Sequence, residues 1–242
     1  MNQSEREKAM TLLEHQPAFI YRLQFSRTGS LSYIGHLDLM RTFERSLRRA
    51  GFPLLHSQGY NPRPMLVFAL PLGVGISTTD DYLDVSLSEG RDIMEIVTGL
   101  QKTLPDGLKI LDGWSVPETN GSIMAMVTAA RYLLRAPQIS DAIRRLFLHD
   151  EILVEKRSKG QLRMLNIRPL LLELLMDDSE DGNEATILVC AGSHENLRPD
   201  LLLQALTLFE NYPQAAGANC EVERTGLFAG VYPDLKKMKE MK

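Results

Sequence analysis

The order in which two hydrophobic periods alternate over residues 18–114 restricts the fold more than any single motif does. The stretch "FIYRLQFS", from Phe19, alternates apolar and polar residues, as a half-buried strand does. A turn-rich piece, "RTGSLSYIG", separates it from residues 36–50, whose period is helical. At about 100° per residue, Leu39, Met40, Phe43, Leu47 and Ala50 fall on one side of that helix, together with His36. Gly51 stands where a C-terminal cap is expected, and Pro53 forbids continuation. "SQGYNPRP" is a loop by its glycine, asparagine and two prolines. "MLVFALPL" (65–72) and "DYLDVSL" (81–87) read as strands around the turn "GVGISTTD". Residues 91–104 predict a helix and 108–114 a strand.

That order, βαββαβ, is the ferredoxin-like split unit, with two helices on one face of an antiparallel sheet. It is assigned to residues 17–117, behind an N-terminal extension of 1–16. "SVPETNGS" (115–122) has loop composition and marks the boundary to a second unit, 118–230. There, 129–136, 151–157, 161–167 and 185–191 read as strands, with another near 219–225. Residues 139–149 and a stretch near 199–209 read as helices, and "RPLLLELL" as a short one. This is a second α+β unit, and it admits the same ferredoxin-like order with an insertion. "MDDSEDGNE" (176–184) holds five acids and reads as an exposed loop, and residues 231–242 as a flexible tail.

The chain has 242 residues and 44% hydrophobic content, enough for one large domain or two small ones of a soluble protein, either with a real core. A net charge of −4 excludes bulk attraction to a polyanion. The two cysteines, Cys190 and Cys220, form neither a metal-binding spacing nor a disulfide framework. "MNQSEREKAMTLLEHQ" lacks the apolar segment of a signal peptide, and no apolar run approaches a membrane span. A cytoplasmic protein that contacts no membrane is expected. No P-loop, Rossmann glycine pattern or nucleophile elbow occurs, and nothing implies a cofactor or metal.

Charge is nevertheless segregated. Residues 21–63 carry seven arginines, two acids and no lysine, a local +5 against −9 for the remainder. Arg41, Arg45, Arg48 and Arg49 occupy the helix side opposite the apolar stripe, and Arg27 and Arg63 flank the helix. The guanidinium fork binds phosphate bidentately. The bland alternative is a solvated face with Asp38 and Glu44 paired to arginines at helical spacing. Lys156, Arg157, Lys159, Arg163 and Arg168 form a second basic cluster on an expected hairpin, where cations also protect a strand edge. Tyr60, Asn61 and Arg63 sit in a loop that two prolines stiffen, suited to hold a base or a phosphate, or simply to connect a helix and a strand. His36 and Asp38 invite a catalytic pairing, but positions i and i+2 of a helix face apart. A structural histidine, with Asp38 favouring the helix N-terminus, is the simpler expectation.

At these residues the sequence resembles a known family. F-S-[KR]-x-G, H-L-D-x-x-R, R-R-A-G and S-Q-G-[FY]-N-P-x-P occur in order within residues 25–64. In this respect the chain resembles the radical SAM-linked protein family, catalogued as domain of unknown function 2344. The likeness is strong over roughly residues 18–90 and continues weakly through "NIRPLL", similar to a motif written D-I-R-P-L. Gly35 stands where the family commonly has serine, and Asn166 where it commonly has aspartate. The resemblance implies domains that occur alone or fused behind a radical SAM module with a cobalamin-binding-like region. It also implies genes that often neighbour those for ribonuclease E/G and ribosomal proteins. The family supplies no catalytic residues. With no C-x-x-x-C-x-x-C run, these residues cannot hold the cluster that radical SAM chemistry requires.

The expectation is therefore an accessory protein that binds tRNA or rRNA for a radical SAM partner. Two alternatives stay open: an enzyme acting on RNA or a nucleotide through His36 and Asp38, or a module that docks the partner through its acidic second half.

Overall fold

The computed structural model describes residues 18–117, 121–158, 160–175, 181–213 and 219–241. The N-terminal extension, Lys159 and most of the acidic 176–184 loop lie outside them.

The first unit comprises β1 (Phe19–Arg27), α1 (His36–Arg49), β2 (Leu66–Phe68), β3 (Ile76–Leu87), α2 (Ile93–Gln101) and β4 (Leu108–Val116). Its strands lie in the order β4-β1-β3-β2, all antiparallel, which is the ferredoxin-like arrangement. Gly35 provides no side-chain cap for α1, and Asp38 in the first turn offsets part of that loss. Arg48 and Arg49 lie in the last turn. Gly51, at φ +81°, closes the helix: its amide donates to Arg48 and that of Phe52 to Leu47. Leu39, Phe43 and Leu47 are buried against Leu23, Phe25, Phe68, Ile96 and Leu100. The Phe25 and Phe43 rings meet edge to face at 5.1 Å. Asp92 caps α2, accepting from the amides of Met94 and Glu95.

The second unit follows a short helical turn, α3 (Ile123–Met126), and repeats the plan with β5 (Val127–Arg135), α4 (Ile139–Phe147), a hairpin of β6 (Leu153–Ser158) and β7 (Gln161–Asn166), β8 (Leu171–Leu175), β9 (Glu184–Cys190), α5 (Pro199–Glu210) and β10 (Glu221–Val231). The strand order β10-β5-β9-β8 is again ferredoxin-like, with the hairpin as insertion. Residues 168–175 depart from the predicted helix. Only Arg168–Leu170 turn, as a 3-10 helix, and Leu171–Leu175 pair with β9. Ladder pairing outweighs the helix propensity of a leucine-rich run.

One sheet runs through both units. β10 pairs in parallel with β3, Val222–Arg224 against Ile76–Thr78, while β2 uses the other end of the same β3 edge at Leu83–Val85. This pairing draws Ile76–Thr78, expected in a turn, into β3. Residues 231–241, expected as a flexible tail, form β11 (Asp234–Lys237) against β10 and a 3-10 turn. The reason is apolar burial: Met238 lies in the core with Ile123 and Tyr82.

Candidate nucleic-acid interface and inter-unit cleft

Four arginines line the open side of α1, and the fold engages them unequally. Arg41 pairs with Asp38 at 3.1 Å and Arg48 with Glu44 at 2.9 Å. Arg49 donates to the carbonyl of Thr103 at 2.6 Å. Arg45 is exposed and has no partner among the described residues. Exposed i,i+3 and i,i+4 pairs contribute only about 0.3–0.5 kcal/mol, so a phosphate can displace them.

Arg48 also links this face to the proline-stiffened loop. His56 Nδ1–H donates to the carbonyl of Leu54 at 2.9 Å, which leaves Nε2 to accept from Arg48 at 3.3 Å. Beyond His56 the loop closes at its base: the Ser57 amide donates to the Arg63 carbonyl at 2.8 Å, and the Arg63 amide to Ser57 Oγ at 3.1 Å. Tyr60 stands at the tip with 101% relative exposure, beside exposed Asn61 and Arg63. α1 and this loop thus form one basic ridge with an aromatic tip.

The second basic cluster is divided. In the β6-β7 hairpin, half-buried Lys156 lies directly opposite Arg163, with exposed Arg157 next in the chain. Like charges in register repel, so this hairpin face favours an anion. Arg168 belongs instead to the fold. Its guanidinium lies over the Phe147 ring at 5.6 Å and its Nε donates to the His149 carbonyl at 3.0 Å. Arg27 likewise leaves the predicted surface set. It is fully buried and donates to the carbonyls of Ile34, Gly73 and Ile76, pinning the segment before α1 to the turn before β3.

His36 and Asp38 are not brought together. His36 meets the edge of Phe68 at 5.2 Å, while Asp38 faces solvent with Arg41. Burial, then the nearby Arg27 and Arg224, push the His36 pKa below its usual value. Its Nδ1 is buried with no partner among the described residues.

A second feature lies where the units join. Arg224, 1% exposed on β10, donates to the Asp81 carboxylate and to the Leu70 carbonyl at 2.8 Å. Thr78 Oγ1 donates back to the Arg224 carbonyl at 2.9 Å. Burial pushes the Asp81 carboxyl up, and Arg224 opposes that shift. Burial lowers Arg27, which also feels both groups, to about 10. Above this cluster opens a cleft of about 820 Å³, lined by Tyr33, Leu70, Gly73, Val74, Ser77, Tyr132, Arg198 and Arg224 among others. The α5 N-terminus forms one wall, and Arg198, its N-cap residue, provides no side-chain cap there. Sequence reading missed this cluster. Its available signal was "DDYLD", three aspartates inside a strand pattern, since buried charges require partners.

Residues 21–199 match the model of a family described as an uncharacterized protein conserved in bacteria, domain of unknown function 2344. The chain belongs to that family. Its matched region spans β1 through the start of α5, so the ridge, the hairpin and most of the cleft lie within it. No curated protein matches the chain. Among the described residues no helix is long and apolar enough to cross a membrane, and no group of three or more His, Cys, Asp or Glu side chains could hold a metal ion.

Proposed function

We propose that this family member binds structured RNA, tRNA or rRNA, without turnover, and presents it to a radical SAM enzyme. The observation that carries the RNA reading is the ridge. It joins Arg45, which has no partner among the described residues, and two weakly paired arginines to a fully exposed tyrosine on a closed, proline-stiffened loop. Guanidinium groups supply sequence-independent phosphate contacts, and an exposed ring supplies a face on which a base stacks. The loop enters binding already ordered, which lowers the entropic cost of capture. The Lys156–Arg163 pair, two cations in register on the hairpin, offers a second contact for an extended polyanion. The partnership with a radical SAM enzyme rests on the sequence resemblance, and an accessory role fits a chain with only two cysteines.

The reading in which His36 and Asp38 form a catalytic pair loses support, because the two side chains point to different surroundings. The test is recovery of the protein from its cells, followed by sequencing of co-purifying RNA. The proposal expects one RNA class to be enriched, and enrichment to fall for Tyr60→Ala. Recovery of a radical SAM enzyme with no RNA would instead leave a protein-docking module.

A further inference from the structure

We infer that the cleft between the two ferredoxin-like units binds a phosphate monoester of nucleotide size. This goes beyond the ridge, which contacts a polyanion from outside. Three observations converge on the cleft. First, the buried cluster beneath the cleft is short of negative charge: the Arg224 guanidinium, which lines the cleft, and Arg27, which does not, share one carboxylate, Asp81. Arg27 is occupied by three carbonyls, but carbonyls do not neutralise a cation. Second, Arg224 Nε is fully buried with no hydrogen-bond partner among the described residues, although Arg224 lines the cleft. An unmade bond of that kind is unfavourable and is relieved by an acceptor. Third, the twelve-residue α5 starts in the wall; Pro199 has no N–H and the Leu201 and Leu202 amides donate to the Arg198 carbonyl, which leaves the Asp200 amide and the helix dipole to favour an anion.

Donors therefore approach from two elements, the β10 floor and the α5 wall. A tetrahedral phosphate presents acceptor oxygens in both directions, whereas a planar carboxylate presents two in one plane. Cleft volume and lining set the rest of the ligand. About 820 Å³, with the rings of Tyr33 and Tyr132 and the side chains of Leu72, Val74, Leu203 and Val222, suits a flat ring body. The rim charges do not reverse this: Arg198 pairs with Asp200 at 2.6 Å, and Glu221 is exposed, where solvent screens it. The phosphate could arrive on a free nucleotide or on the end of a strand.

Isothermal titration calorimetry of the full chain with adenosine 5′-monophosphate, adenosine, inorganic phosphate, and 5′-phosphorylated and 5′-hydroxyl octaribonucleotides tests this. Binding of the monophosphate, competed by inorganic phosphate and absent for adenosine, is expected for a free ligand. Preference for the phosphorylated octamer alone identifies a strand end. Because Arg224 supports the fold, the variants are placed at Val74, exposed on the cleft rim. Val74→Glu should weaken phosphate-dependent binding about tenfold and Val74→Lys should not. Tyr60→Ala should leave monophosphate binding unchanged, which separates this site from the ridge. The inference is overturned if no phosphorylated probe binds, if adenosine binds as well as its monophosphate, or if Val74→Glu and Val74→Lys behave alike.

Discussion

Asn166 shows how a single residue of a recognisable motif serves the fold. Its Oδ1 accepts from the amides of Ile152 and Arg168, both at 3.0 Å, and so locks the base of the β6-β7 hairpin. An aspartate offers the same acceptor, which explains why either residue fits. Asn166→Ala should lose about 1–3 kcal/mol in urea unfolding, because two amides lose their acceptor, while Asn166→Asp should lose less. His36 makes a prediction for pH. Its folded pKa lies below the ordinary 6.5, so the folded state prefers the neutral ring. That contribution is complete above about pH 6.5 and is lost as pH falls through the lowered folded value. The melting temperature should therefore drop on acidification below pH 6.5, and His36→Gln should flatten part of that drop in a pH series of thermal melts. The apolar side of α1, where sequence period placed His36, is where the ring meets Phe68. Arg27 was not legible in this way: an arginine at a strand end looks like a surface cation until the carbonyls it ties are known.

Elements were legible where period and punctuation agreed. α1 runs from His36 to Arg49 and ends on Gly51, as the 3.6-residue stripe and the glycine require. Residues 168–175 were not, because leucine runs carry no period and the partner strand β9 lies downstream. The polar face of β1 and β3 also escaped notice. Arg22 binds Asp84 through two bonds, 2.7 and 2.9 Å, on the sheet face away from α1 and α2, with Met126 of α3 over it. Removing one partner leaves a buried charge. Asp84→Ala should destabilise by about 3–5 kcal/mol, and the double variant Arg22→Leu, Asp84→Leu by much less. Equilibrium unfolding of the single and double variants measures the difference.

At the scale of the whole molecule, an α+β second half was readable, but the strand β8 that completes its ferredoxin-like order and its junction with the first half were not. A parallel pairing of three residues, Val222–Arg224 against Ile76–Thr78, has no local pattern, and the charges that secure it are far apart in the chain. The shared sheet predicts one cooperative unfolding transition. Trp114, the sole tryptophan, packs edge to face on Tyr82, which lies in the core of the second unit. Its fluorescence and the far-ultraviolet dichroism should lose signal at the same urea concentration, and separate midpoints would show that the units unfold independently. Salt dependence separates a ridge that grips phosphates from one that is only solvated. Each phosphate contact releases counterions, so the logarithm of single-strand affinity should fall with the logarithm of salt by about 0.7 per contact. Arg41, Arg45, Arg48 and Arg63 together should give a slope of about −3. Arg45→Ala should reduce its steepness by about 0.7, with fold stability changed by less than about 0.5 kcal/mol. Tyr60→Ala should keep the slope and lose about 1–3 kcal/mol of affinity. Titration of RNA at several salt concentrations with these three proteins decides the matter: an Arg45→Ala protein that binds with the parent's affinity and slope would contradict the account.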